Sequence, residues 1–123
     1  MLLKTSSALL VCWGLVNAVG GTIGARMHPA PWIGALFFAV GVIVAVGGVG
    51  LWRGRSWGFA MSLGGLVAMS LVAFLSAILL RGVGGIRLSH HVTRLLISGC
   101  LLMTAWLGMR RLGASRVDAP SAQ

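Results

Sequence analysis

Acidic side chains are almost absent from this sequence. The 123 residues include ten Lys or Arg but a single Asp or Glu, which is Asp118. Charged residues make up 9% of the chain and hydrophobic residues 58%, whereas a soluble domain carries about 25% charged residues. Too few polar side chains are present to cover a water-facing surface, so lipid must be the solvent for most of the chain.

The shortage of carboxylates also excludes several classes of function. Proton-coupled exporters rely on a membrane carboxylate whose pKa burial can shift, and magnesium-dependent enzymes acting on lipid phosphates need carboxylates to hold the metal. A serine nucleophile needs a histidine base that an acidic residue orients. The glycine-rich stretches also lack the Lys-Ser or Lys-Thr of a phosphate-binding loop. We therefore expect a protein that is not an enzyme and has no cofactor.

Four apolar blocks account for most of the sequence. They cover residues 6–25, 31–52, 57–80 and 92–109. The length of each is close to that of a helix that crosses a bilayer, which is about 20 residues. Pro31 suits the first turn of a helix, and Trp32 and Trp52 mark the two membrane interfaces of the second block. The sequence predicts an all-α integral membrane four-helix bundle forming one domain over residues 1–112, followed by a disordered polar tail over 113–123.

The first block has a second interpretation as a cleaved signal peptide. Lys4 provides a basic start, residues 8–16 form an apolar core, and Val16-Asn17-Ala18 is a passable cleavage site. The apolar character nevertheless continues through residues 19–25, beyond that site. A retained first span is therefore favoured, whereas cleavage would leave three spans.

The short polar segment between the second and third blocks predicts a tight turn. Arg53-Gly54-Arg55-Ser56 is bracketed by Trp52 and Trp57. Four polar residues between two interfacial tryptophans leave room only for a turn at the membrane surface, so the two spans form an antiparallel hairpin. The segment Trp52–Trp57 resembles the basic turns of small bacterial multi-span inner-membrane proteins. That resemblance implies an inner-membrane location and no active-site residue.

The basic residues flank the apolar blocks instead of forming one cluster. With the N-terminus inside, the inner side holds six of them: Lys4, Arg53, Arg55, Arg110, Arg111 and Arg116. The outer side holds four: Arg26, Arg81, Arg87 and Arg94. Because an excess of Lys and Arg marks the cytoplasmic side, both termini are predicted to be cytoplasmic, with the chain in the inner (plasma) membrane. Nucleic-acid binding is not expected, since it needs a clustered basic face.

Arginines near the span ends are expected to contact anionic lipid headgroups or a protein partner. These are Arg26, Arg53, Arg55, Arg81, Arg87 and Arg94. Arg94 lies inside the fourth block, and we expect its long side chain to extend to the headgroups. His28, His90 and His91 lie on the same side as Arg26, Arg81, Arg87 and Arg94, with which they form one cluster. The cluster is interpreted as a solvated rim, a contact for an anionic lipid or quinone, or a metal or haem site.

Rows of small residues at helical spacing recur in every span. They are Gly20 and Gly24; Gly41 and Ala45; Ala60, Gly64 and Ala68; and Cys100, Thr104 and Gly108. Such rows let helix backbones approach closely in lipid. They serve either packing within the bundle or docking of a second copy or a larger membrane complex.

Three hypotheses for function follow. The leading one is a non-enzymatic accessory or structural subunit that packs against itself or a larger membrane complex. The second is a small dimeric channel or transporter that works without carboxylate coupling. The third is a haem- or metal-binding membrane subunit that uses His28, His90 and His91.

Overall fold

Four α-helices follow one another in a computed structural model that describes residues 1–27, 31–81 and 88–117. They are α1 (Leu2–Met27), α2 (Pro31–Trp52), α3 (Ser56–Arg81) and α4 (Leu88–Val117). Each contains a stretch long and apolar enough to span a membrane, namely Leu2–Ile23, Pro31–Trp52, Ser56–Leu79 and Val92–Arg111. The chain is an all-α, multi-pass membrane protein whose helices form a four-helix bundle, as the composition predicted.

The helix boundaries agree best with the prediction at α2, which begins at Pro31 and ends at Trp52. The largest difference is at α4, which continues to Val117. Residues 113–117 are therefore helical, although the sequence placed them in a disordered tail. Backbone hydrogen bonding does not require apolar side chains, so a polar sequence can continue the helix. Residues 118–123 lie outside the described part of the chain.

Several hydroxyl side chains within the spans are satisfied by their own helices, whereas the buried Ser62 hydroxyl has no hydrogen-bond partner among the described residues. The Ser7 hydroxyl donates to the Leu3 carbonyl oxygen at 2.6 Å, and the Thr104 hydroxyl donates to the Cys100 carbonyl oxygen at 2.9 Å. An unsatisfied polar group in hydrocarbon costs several kcal/mol. These local bonds let small polar residues occupy a membrane span without a partner on another helix.

The closest pairing in the bundle joins α1 and α2 along a seam of small residues spaced seven apart. The seam consists of Ser7, Gly14 and Gly21 of α1 and Gly34, Gly41 and Gly48 of α2. A Cβ added at Gly14 would lie 2.6 Å from the Gly41 carbonyl oxygen, and a Cβ added at Gly41 would lie 2.7 Å from the Gly14 carbonyl oxygen. The two backbones touch, and a spacing of seven is the period of a left-handed helix pair.

The turn between α2 and α3 confirms the predicted hairpin. The Arg55 amide donates to the Gly50 carbonyl oxygen at 3.0 Å and the Gly54 amide donates to the Leu51 carbonyl oxygen at 2.9 Å. This is the Schellman arrangement that closes a helix C-terminus. Gly54 has a φ of 68°, a conformation that glycine adopts at little cost. The chain can therefore reverse within three residues of the end of α2.

Just inside the turn, α2 and α3 also approach through glycine. A Cβ added at Gly58 would lie 2.6 Å from the carbonyl carbon of Gly50 and 2.7 Å from the carbonyl oxygen of Gly47. Leu51 is buried beside this approach, and both Leu51 and Met69 belong to the core of the bundle. The three helices α1, α2 and α3 are thus held together by backbone contact on both sides of α2.

Of the four spans, α4 is the least buried. It packs against α1 and α3 and completes the ring of helices. Near its end, a Cβ added at Gly108 would lie 3.0 Å from the Leu3 Cα. The start of α1 and the end of α4 therefore lie on one side of the bundle. Whether that side is cytoplasmic stays a prediction.

Candidate functional site

Arg94 places a guanidinium group inside the bundle near the start of α4. Its Nη2 atom donates to the Oδ1 atom of Asn17 in α1 at 2.7 Å, and its Cζ atom lies 5.5 Å from the centre of the Phe37 ring in α2. We expected this side chain to extend to the headgroups, and the structure turns it inward instead. The reason is that Asn17 offers a hydrogen-bond acceptor and Phe37 an aromatic face, and a guanidinium binds both kinds of group.

The carboxamide of Asn17 is held with its oxygen toward Arg94. Its Nδ2 atom donates to the Trp13 carbonyl oxygen at 2.7 Å. A guanidinium has only donors and a carbonyl oxygen only accepts, so these two bonds determine which end of the amide faces which partner. Asn17 is therefore a dedicated acceptor for Arg94, but a neutral one that leaves the positive charge uncompensated.

A groove of about 420 Å³ lies between α3 and α4 and begins beside Arg94. Its largest apolar lining residues are Leu66, Leu71, Phe74, Leu95 and Leu102. Ser70 also lines it, but its hydroxyl donates to the Leu66 carbonyl oxygen at 2.9 Å and is satisfied within α3. The groove therefore offers a mainly apolar surface with a cation at one end.

The charge at Arg94 has no acidic counterpart in the ranges 1–27, 31–81 and 88–117, which contain neither Asp nor Glu. Asp118, the one acidic residue of the sequence, lies outside them. A guanidinium keeps its proton in proteins, so the charge is permanent. An ion that compensates it inside the bundle has to come from elsewhere than these residues.

The other arginines expected at headgroups lie apart from this site. Arg26, Arg53 and Arg55 are exposed near helix ends. Arg81 is the last residue of α3, with its side chain outside the description, and Arg87 lies outside the described residues. Their contact with lipid or a partner stays a prediction.

A second cation–aromatic contact joins Arg110 to Trp106 on α4. The Arg110 Cζ atom lies 4.2 Å from the centre of the Trp106 ring. Sequence reasoning counted Arg110 only as a flanking charge. The spacing of four residues, which places both side chains on one helix face, was the signal available in the sequence.

The histidine hypothesis is not tested by the described residues. His28 lies outside them, and His90 and His91 are in the first turn of α4 with side chains outside the description. Within the described part of the chain, no group of three His, Cys, Asp or Glu side chains could hold a metal ion. Cys12 and Cys100 are free and exposed.

Some of the predicted small residues pack inside the bundle and others do not. Gly41 and Ala45 are buried in the seam with α1, and Gly108 lies against α1. A Cβ added at Gly20 or Gly64 would have no atom within 4 Å. These two glycines face away from the bundle, so internal packing does not explain them.

The remaining small residues are intermediate cases. Ala60 and Cys100 are exposed, and Ala68 and Thr104 are half-buried. Gly24 belongs to α1, but its surroundings lie outside the description. The seam glycines Gly14, Gly21, Gly34 and Gly48 were missed by sequence reasoning, and their spacing of seven was the signal that could have found them.

No protein-family model, curated protein or solved structure matches the chain.

Proposed function

We propose that the protein is a non-enzymatic accessory subunit that packs laterally in the membrane, against a second copy or against a larger membrane complex. The observation that carries this proposal is the outward position of Gly64 in the middle of α3. No atom lies within 4 Å of a Cβ added there. Small residues on a lipid-facing surface let a neighbouring helix approach closely.

Glycine at position 64 lowers the stability of α3, and no contact described in the bundle compensates for this loss. A glycine in the interior of a helix is less favourable than alanine by about 0.5–1 kcal/mol. At Gly41 or Gly58 the close approach of a neighbouring backbone explains the glycine, whereas nothing described in the bundle does so at Gly64. Ala60, one turn earlier, is exposed on the same face. Ala60 and Gly64 together form a flat strip suited to a helix from another subunit.

Substitution of Gly64 tests this function. The full chain, purified in mild detergent, is expected to run as a dimer or with a membrane-protein partner in native mass spectrometry. Gly64→Leu places a bulky side chain on the strip without a clash inside the bundle, so it should yield a folded monomer without a partner. The helical circular dichroism signal checks that the fold is retained.

Gly20→Leu is the matched control, because Gly20 is also a helical glycine with open space around it. This variant should associate as the wild type does. A wild-type chain that is monomeric without any partner would overturn the proposal. Loss of association in Gly20→Leu but not in Gly64→Leu would place the contact on α1 and contradict the role of α3.

A small dimeric channel is the second candidate, and the groove beside Arg94 favours it. Two copies that meet through α3 and α4 would enclose their two grooves and bring two guanidinium groups near one path. Such a path would favour anions over cations. Chloride efflux from liposomes should then exceed that from empty liposomes and fall in Arg94→Gln. Absence of flux for ions and neutral solutes alike would remove this candidate.

A further inference from the structure

We infer that the groove between α3 and α4 binds one acyl chain of an anionic glycerophospholipid, whose phosphate meets the guanidinium of Arg94. This inference is independent of the proposed subunit function. It rests on three features of the groove: its chemistry, its length and its depth in the membrane.

The chemistry matches an amphiphile with a negative head. Five large apolar side chains line the groove, and Arg94 lies at the end where α4 begins. The Asn17 amide and the Phe37 ring contact the guanidinium but supply no negative charge. A cation within a membrane span is costly unless it is paired. A phosphate oxygen bound to Arg94 would form the strong charge-assisted contact that the described residues do not provide.

The length of the groove matches one leaflet. Along α4 the lining residues extend from Arg94 to Leu102, which is about 12 Å at a rise of 1.5 Å per residue. Half of the hydrocarbon core of a bilayer is about 15 Å. A chain that enters at Arg94 would therefore follow the groove through most of one leaflet.

The depth of Arg94 fits a lipid phosphate. The span of α4 begins at Val92, so Arg94 lies about 3 Å inside its end. At that level the α4 backbone lies near the boundary where phospholipid headgroups are found, while the side chain turns inward to Asn17 and Phe37. The apolar part of the groove, toward Leu66 and Leu102, lies deeper. The polar and apolar ends of the groove thus have the same order as those of a phospholipid.

A helix of a protein partner is a less suitable occupant of the groove itself. A helix with its side chains is about 10 Å across, whereas the groove lies between α3 and α4, which are in contact with each other. A partner helix would lie across the opening and leave the interior unfilled. A single acyl chain can enter between the two walls.

Lipid binding to the purified full chain tests the inference. The delipidated protein is titrated with phosphatidylglycerol or phosphatidylcholine, and bound lipid is counted by native mass spectrometry. Both lipids carry a phosphate, but the choline cation of phosphatidylcholine repels Arg94, so phosphatidylglycerol should bind about tenfold more tightly. Arg94→Gln should lose this preference, whereas Arg94→Lys, which keeps the charge, should retain part of it.

A second variant leaves Arg94 in place. A Cβ added at Gly99, on the wall of the groove, would meet no atom within 4 Å, so Gly99→Leu fills the groove without disturbing the fold. It should reduce the binding of both lipids. Arg26→Gln, an exposed arginine on the same side of the membrane, is the matched control and should bind phosphatidylglycerol as the wild type does.

Four results would overturn the inference. They are equal binding of the two lipids, equal loss of phosphatidylglycerol in Arg26→Gln and Arg94→Gln, displacement of the lipid by inorganic phosphate, and unchanged lipid binding in Gly99→Leu. The third result would indicate a site for a free anion. Loss of a protein partner in Gly99→Leu, with lipid binding unchanged, would show that the occupant is protein.

Because Gly64 does not line the groove, the association test can fail while this one succeeds.

Discussion

Gly41→Leu is expected to separate α1 from α2 and to lower the free energy of unfolding by about 3 kcal/mol. A Cβ at Gly41 would lie 2.6 Å from the Ala18 amide nitrogen and 2.7 Å from the Gly14 carbonyl oxygen. Both are backbone atoms that cannot rotate away, so the helices themselves must move. Unfolding in mixed micelles of increasing dodecyl sulfate content, followed by helical circular dichroism, measures the change.

Gly20→Leu is the control for this prediction. It has the same chemistry on the partner helix, but an added Cβ at Gly20 meets no atom within 4 Å. Its stability should not fall, and should exceed that of the wild type by up to about 1 kcal/mol, because leucine is the better helix former. Equal losses in the two variants would show that the seam is not a close backbone contact.

The double variant Gly14→Ala with Gly41→Ala tests whether these two glycines contact each other. The two added methyl groups would enter one gap, so backbones displaced by the first leave room for the second. The combined loss should therefore be smaller than the sum of the single losses. Additive losses would contradict the mutual contact of these two glycines.

Gly58→Ala is expected to cost about 2 kcal/mol, although alanine is the better helix former. Propensity alone would favour alanine by about 1 kcal/mol. The added methyl group, however, overlaps the Leu51 amide nitrogen and the Gly50 carbonyl carbon just inside the turn. Steric overlap with backbone outweighs the gain in propensity. The same micelle titration measures the difference.

Gly64→Ala is the matched control on α3, because open space surrounds Gly64. Here propensity acts alone, so a monomeric sample should gain up to about 1 kcal/mol. The two substitutions are identical and lie on one helix, yet they should change stability in opposite directions. A loss of stability in both variants would contradict the explanation that backbone contact at Gly58 causes the loss.

Much of the architecture was predictable because it depends on composition and length. The shortage of charge required lipid as the solvent, and blocks of about 20 apolar residues required membrane-spanning helices. The Trp52–Trp57 segment required a turn because its four polar residues are too few to form a longer loop or another helix. Each of these predictions follows from a local property of the chain.

The orientation of each helix face was harder to predict. In a soluble helix, an apolar stripe shows which side faces the core. In these spans the lipid-facing side is also apolar, as the exposed Leu36 and Val46 of α2 illustrate. Gly20 and Gly21 are adjacent in sequence, and hydropathy does not distinguish them. Only Gly21 lies against α2.

Composition and spacing along the chain account for the solvent, the number of spans, the hairpin and the shortage of carboxylates. The contacts of the individual glycines and the position of the Arg94 charge depend on how the helices pack. Asn17 is 77 residues away from Arg94 in sequence, and no local pattern connects them. Their contact arises only when the ring of helices brings α1 and α4 together. Among the described residues no acidic side chain pairs with Arg94, whose charge lies at one end of the groove between α3 and α4.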